Sequence, residues 1–402
     1  MNNKTDVLVV GGGPCGSFAA LTAVKLGAEV VVCEEHKEIG LPQHCAGHVS
    51  LSGLRRLGLS LPQKIVENRI RRAVFYSASG QEFRVELDSP VTLVLNRELF
   101  DKHIADLALK AGVRYMLGAR VQSFLWKSKF VTGVSLRRET VESDVVIDAE
   151  GCSSVLLRTT KLQPLNRSMV VNAVQAEVER IDDVDTDSVE VYLGRKFAPG
   201  LFAWIIPRRD GSAKVGLATK SGNPRERLQY FLNHHPTARK KMRNSRVVSL
   251  SYHPIPLGGP IPETYCNGLL IVGDAASQVK PTTGGGIVMG LTCAKVAGET
   301  AHQAIQNGNC SNTLLSTYQK RWRKTIGFDM AVMRQIRLIV NRLSDQQLDK
   351  IIFLCSQLHL DEDLKRVRDI DFQGRGTMPI FTSPAVWAVT LYSILASLTT
   401  PF

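Results

Sequence analysis

The chain has 402 residues, 44% of them apolar and 22% charged, an ordinary globular composition with length enough for two or three domains sharing large cores. Fifty Lys and Arg against 37 Asp and Glu leave a formal charge of +13, which points to an anionic partner such as a phosphate, a membrane surface or an acidic protein. Nucleic acid is set aside, because no nucleic-acid-binding motif accompanies the charge, and the one dense basic run, Arg239, Lys240, Lys241, Arg243 and Arg246, reads most simply as a solvated helix face.

The first residues, MNNKTDVLVVGGG, lead straight into a strand and contain no signal-peptide hydrophobic region. Residues 6–10 predict a short buried strand. Gly11, Gly13 and Gly16 then satisfy G-x-G-x-x-G, a helix is expected over 17–26, and a second strand over 29–33 ends at Glu34. Each part has a mechanical reason. Gly11 permits the sharp turn, Gly13 lets the backbone approach a pyrophosphate, and Gly16 lets helix and strand pack closely. The helix N-terminus offers free N–H groups and a positive dipole end to the phosphates. Glu34 is placed to accept hydrogen bonds from ribose hydroxyls. Cys15, inside the loop, fills a small-residue position.

QHCAGHVS, at 43–50, sets Cys45 between His44 and His48. Metal site, reactive thiol and cofactor-facing loop are all open on these residues alone. The eight cysteines form no CxxC pair, which argues against a ribbon-type zinc site, and His44, Cys45 and His48 are too few to close a structural one. No metal is expected. The modest cysteine count fits a reducing compartment.

Further along, LNRELFDKHIADLALKAGVRY places Arg97 at the opening of a helix, and SDVVIDAEGCSSVLLR ends a strand in Glu150-Gly151. In PGLFAWIIP, at 199–207, alternation puts Phe202, Trp204 and Ile206 on one strand face, a pattern also common in half-buried sheets. Residues 267–299 carry a second glycine signal. A strand at 269–272 runs into Gly273-Asp274, and a loop with Gly284, Gly285 and Gly286 precedes a helix. Asp274 at a strand end can bind ribityl hydroxyls. Three successive glycines weaken a helix start unless backbone must come close to something, and such N–H groups suit the anionic ring edge of a reduced flavin. The last seventy residues read as helical, with LSDQQLDKIIFLCSQL a capped amphipathic helix. The uncharged end, 380–399, has Trp387, Leu391, Ile394, Leu395 and Leu398 on one helical face and Thr390, Ser393 and Ser397 on another. It is too polar and interrupted for a spanning helix, and suits a helix lying in a membrane interface or docked on the core.

The glycine fingerprint, LPQHCAGHVS, PGLFAWIIP and GDAASQVKPTTGGGI together resemble FAD-dependent hydroxylase-like flavoproteins of the GR2 fold. Within them they resemble the geranylgeranyl reductase family, which includes the archaeal digeranylgeranylglycerophospholipid reductases. The resemblance covers nearly all of the chain and is weakest after about residue 330. It implies an α/β fold with a discontinuous Rossmann-type FAD-binding domain (1–60, 92–165 and 255–330), an antiparallel-sheet substrate domain (61–91 and 166–254) and a helical C-terminal region (331–402) able to associate with membranes. It implies FAD held by Gly11, Gly13, Pro14, Cys15, Gly16, Glu34, Glu35, Cys45, Ala46, Gly47, Arg97, Gly273, Asp274, Gly284, Gly285, Gly286 and Ile287. A prenyl chain would lie along His48, Phe202, Trp204 and Ile206, and Cys45 matches the family's recurrent cysteine beside the ring.

The implied chemistry is reduction of isoprenoid C=C bonds in geranylgeranyl chains of membrane-lipid precursors, with hydride from reduced flavin and a proton from Cys45 or a nearby water. The substrate would be a prenylated lipid or a prenyl diphosphate, the electron donor ferredoxin or NAD(P)H, and the location cytoplasmic, on an anionic membrane surface. Three departures stand out. Phe202 replaces the family's tyrosine and removes a hydroxyl, and Ile206 replaces its phenylalanine. Glu150-Gly151 replaces the related hydroxylases' Asp-Gly, which argues against NADPH. The alternatives are a flavin monooxygenase or halogenase, and a GDI-like prenyl-binding protein without flavin chemistry. Against the last, both FAD motifs are intact.

Overall fold

The computed structural model describes residues 4–367 and 369–399. Strands Lys4–Val10 and Val30–Glu34 are runs of β-branched residues buried almost throughout, as suits parallel strands covered on both faces. They lie in a sheet ordered Tyr265–Cys266, Leu269–Ile271, Thr140–Asp148, Lys4–Val10, Val30–Glu34, Arg114–Leu117. The last five strands of that order are parallel. A hairpin, Ser123–Lys127 with Phe130–Ser135, pairs antiparallel onto Thr140–Asp148. Alternation divides the core. Val7, Val9, Val30 and Val32 pack under helices Pro14–Lys25, Arg97–Lys110 and Ile287–Gln306, while Leu8, Val10, Val31 and Cys33 face the hairpin and residues 152–165.

The first helix begins earlier than the pattern predicts, at Pro14 rather than 17. Proline at the first helical position lacks only an N–H that would be unpaired anyway, so Cys15 and Gly16 become the first turn. The close packing demanded of Gly16 is literal: a Cβ there would sit 1.9 Å from the Gly11 carbonyl oxygen. Cys15 is wedged beneath Gly290, where an added Cβ would meet its Sγ at 2.5 Å.

A seven-stranded sheet runs Arg246–Pro256, Val170–Glu179, Ala213–Thr219, Gly200–Pro207, Ser188–Tyr192, Arg72–Tyr76, Glu82–Glu86. It is antiparallel except where Ser188–Tyr192 meets Arg72–Tyr76. Strand Val66–Ile70 does not join it. Instead it pairs with Thr92–Leu95, which also pairs with His48–Ser50 in a small three-stranded sheet between the two larger ones.

The C-terminal region is helical. Helix Asp345–Gln357 begins in a capping box of Ser344 and Gln347, as its sequence predicts. The uncharged end breaks at Ser383, and helix Pro384–Thr399 packs inward through Val386, Val389 and Ala396. The stripe predicted to be its apolar face, Trp387, Leu391, Ile394, Leu395 and Leu398, points outward, with Leu398 68% exposed. Among the described residues no single helix is long and apolar enough to cross a membrane.

Candidate flavin and lipid site

One cavity of about 1300 Å³ lies between the parallel sheet and the seven-stranded sheet. Every residue expected at the site lines it: the 11–16 turn with Glu34 and Glu35, Cys45 through His48, Arg97, the outward-alternating Phe202, Trp204 and Ile206, and Gly273, Asp274 and 284–287. The N-termini of the long helices Pro14–Lys25 and Ile287–Gln306 open into it. Their N-cap residues are Gly13 and Gly286, and neither has a side-chain cap. Amides left free in this way attract anions. At Gly13 an added Cβ would meet nothing within 4 Å, so the space above the turn is open. Glu34 reaches back into the turn, accepting from Gly12 N at 2.7 Å and His36 N at 2.8 Å.

The Cys45 loop is held from three sides. Gly47, at φ +70°, sits where a Cβ would be 2.3 Å from the Leu95 carbonyl oxygen, so only glycine lets the loop lie this close to strand Thr92–Leu95. Its N–H donates to Cys45 Sγ at 3.4 Å. Arg97, buried, makes a bidentate pair with Asp101 (Nη2–Oδ2 2.9 Å), and its stem lies against the loop, Cγ 3.3 Å from where a Cβ on Gly47 would be. Lys214 arrives from the seven-stranded sheet with no exposed surface. Its Nζ donates to Ala46 O at 3.2 Å and Leu95 O at 2.9 Å and lies 2.6 Å from Glu67 Oε2.

The histidines are not alike. His48 bonds Thr92 Oγ1 through Nε2 at 2.7 Å. His44 stacks on His253, ring centroids 4.0 Å apart, and His253 Nε2 lies 3.7 Å from Asp274 Oδ2. Burial, chiefly, pushes both His44 and His48 down to about 4, so both are neutral at pH 7. Among the described residues no group of three or more His, Cys, Asp or Glu is arranged to hold a metal ion.

Glu150, in place of aspartate, turns its carboxylate onto the backbone. It accepts from Val155 N, Leu156 N and Leu157 N at 2.7, 2.9 and 2.9 Å. The far part of the cavity is apolar, walled by Ala73, Phe75, Val189, Val191 and Leu201 beside Phe202 and Trp204.

Sequence reasoning missed Lys214, His253, Lys280 and the C-terminal Ile370 and Gln373. Lys214 left a trace, as a lysine within the apolar run AKVGLAT. The others depend on contacts between segments far apart in the chain. The residues present fit FAD: two uncapped helix starts for its negative groups, Glu34 and Asp274 for hydroxyls, and an open space joining them.

The FAD binding domain family model matches residues 4–330. Digeranylgeranylglycerophospholipid reductase 2 of Methanothermobacter thermautotrophicus is 37% identical over 358 residues, 87% of this chain and 91% of that protein. Its namesake from Methanopyrus kandleri is 33% identical, covering 86% and 89%. A geranylgeranyl bacteriochlorophyll reductase-like protein from Thermoplasma acidophilum superimposes with TM-score 0.85 at 26% identity, over 97% of this chain and 99% of that one. A flavin-dependent brominase superimposes with TM-score 0.72 at 20% identity over 97% of each chain, a likeness of fold alone.

Proposed function

The chain belongs to the FAD-binding-domain flavoproteins and, within them, to the digeranylgeranylglycerophospholipid reductases, and we infer that it is an FAD-dependent oxidoreductase reducing isoprenoid C=C bonds in geranylgeranyl chains of archaeal membrane-lipid precursors. The observation that carries this reading is the single cavity that joins both uncapped helix starts to an apolar slot along the seven-stranded sheet.

Bound FAD, when reduced, supplies the hydride. The protein's own share is placement, dryness and a proton. Gly13 and the amides of the first helical turn receive the pyrophosphate, and Glu34 takes ribose hydroxyls. Asp274 would hold ribityl hydroxyls, and the backbone of the 284–287 turn would hold the ring edge. Phe202, Trp204, Ile206, Val189 and Leu201 enclose the prenyl chain and exclude water. Cys45 donates a proton to the second alkene carbon. Its sulfur accepts from Gly47 N–H, and its loop is held by Arg97 and Lys214.

The reductant is proposed to be a protein carrier such as ferredoxin ahead of NAD(P)H. The support is Glu150, whose carboxylate is committed to three backbone amides, and the lack of a second dinucleotide fingerprint in the sequence. Anaerobic mixing with NADH, NADPH and reduced ferredoxin, followed by flavin bleaching, separates them. The protein is also proposed to sit on the cytoplasmic face of anionic membranes. The support is the outward stripe from Trp387 to Leu398 and the +13 charge.

The central test is mass spectrometry of products from dithionite-reduced, FAD-loaded protein given a digeranylgeranyl glycerophospholipid or geranylgeranyl diphosphate. Mass gains of two per reduced bond, without oxygen consumption, are expected. Oxygen-dependent halogenation or hydroxylation instead would overturn the reading.

A further inference from the structure

The triglycine turn carries a charge that the family motifs do not explain. Lys280 N donates to Gly285 O at 3.2 Å, and Lys280 O accepts from Gly284 N at 2.9 Å. The side chain then folds back over the turn, so that a Cβ on Gly285 would meet Lys280 Cε at 2.7 Å and Nζ at 3.3 Å. Nζ donates to Asp371 Oδ1 at 2.9 Å. Both side chains are largely buried, 13% and 2% exposed. The other Asp371 oxygen accepts from Ser50 Oγ and lies 3.9 Å from Arg56, which pairs with Asp369 at 2.5 Å. A second clasp holds the same two segments together, Thr282 Oγ1 donating to Gln373 Oε1 at 2.6 Å.

The four charges of this cluster cancel, but they are not equivalent with respect to the cavity. Lys280 lines it, whereas Asp371, Asp369 and Arg56 do not. At the 284–286 turn the cavity therefore meets the Lys280 ammonium, with Asp371 set behind it, beside the Asp274 carboxylate, whose Oδ1 lies 3.1 Å from where a Cβ on Gly286 would be. A flavin ring reduced by two electrons and one proton gains a negative charge. A fixed cation near its N1 side stabilises that form more than the oxidised one, and does so strongly where water is excluded.

We propose that Lys280 raises the reduction potential of the bound flavin and that Asp371, delivered by the C-terminal segment, attenuates this effect. The inference rests on the reading that the cavity holds FAD with its ring edge at the 284–286 turn. It makes the C-terminal region part of the redox apparatus, not only a membrane-facing appendage.

The test is the midpoint potential of FAD-loaded Lys280→Met, Lys280→Arg, Asp371→Asn and the Met/Asn double variant, by equilibration with reference dyes. Lys280→Met is expected to move negative and Asp371→Asn positive, each by at least about 30 mV, a tenfold change in a two-electron equilibrium. Lys280→Arg is expected to stay near wild type, and the double variant between the single ones. If Lys280→Met does not fold, Lys280→Gln carries the same expectation. Coincident potentials in variants that hold FAD, or shifts of the same sign in both single variants, would overturn the proposal, since loop packing alone has no reason to split by charge. Wild-type protein that takes up no FAD is a separate failure, which removes the cofactor reading itself.

Discussion

Replacing Lys214 with methionine keeps most of the side chain's volume and removes its charge. In the folded protein the ammonium meets Ala46 O, Leu95 O and Glu67 with no exposed surface. Its loss leaves the Glu67 carboxylate, 16% exposed, with Arg208 Nε at 3.3 Å as its remaining cation. Breaking a buried ion pair by removing one partner costs about 3–5 kcal/mol, and the surviving Arg208 contact places this case at the lower end, about 3 kcal/mol. That is a large share of a typical total of about 5–15 kcal/mol, so Lys214→Met should still fold but melt early. Lys214→Met/Glu67→Gln removes the uncompensated charge and should recover most of the stability. Its turnover should not recover, because the Ala46 carbonyl is still unanchored and the Cys45 loop with it. The assays are urea unfolding of both proteins and single-turnover alkene reduction after FAD loading. An unfolding free energy of Lys214→Met within 0.5 kcal/mol of wild type, smaller than most mutational effects, would refute the electrostatic argument. A stable double variant with wild-type turnover would refute the link from Lys214 to the thiol.

Cys45→Ala should retain FAD and slow alkene reduction in single turnover; an unchanged rate would demote the thiol to packing, and a near-normal rate in Cys45→Ser would point to size and polarity over acidity. Asp274→Ala should weaken FAD retention by about 1.5–3 kcal/mol, the worth of a charged hydrogen bond, read as roughly 10- to 150-fold in Kd by fluorescence titration. His44 and His48 titrate near 4 in the folded protein and near 6.5 unfolded, so the unfolded chain binds protons first. The stability of flavin-free protein should be complete above pH 6.5 and fall between pH 6.5 and 4, by up to ~3 kcal/mol per imidazole. His48→Gln should flatten that slope in urea melts, and parallel profiles would contradict it. Removing residues after Pro379 should reduce co-sedimentation with anionic liposomes, and raised salt should reduce binding of the intact chain, since surface attraction is worth about 1 kcal/mol per basic residue and fades within a Debye length. Equal binding by both forms would remove the C-terminal helix from the membrane contact, and an intact chain that ignores anionic liposomes at low salt would remove the membrane reading.

Local pattern determined much of this protein by itself. A β-branched run closed by glycines has few ways to fold other than a buried strand, a tight turn and a helix, so the 4–34 unit and the 269–306 unit were legible, with boundaries displaced by one to three residues and most at the start of the first helix. Pro14 shifted that start, because a prolyl residue is already preset for helix. The strand 200–207 was legible for the same reason, since period-two alternation assigns faces without reference to the rest of the chain. What tertiary structure decided are the contacts whose two halves lie far apart. Lys214 meets Ala46 across 168 residues and Lys280 meets Asp371 across 91, and no spacing rule links such positions. Val66–Ile70 pairs with Thr92–Leu95, whose other edge carries His48–Ser50 beside the Cys45 loop, and no local pattern names that partner. The uncharged C-terminal helix carried apolar residues on both sides, so its sequence named a stripe but not the side that packs. Only the position of Val386, Val389 and Ala396 against the core turned that stripe, from Trp387 to Leu398, toward the outside.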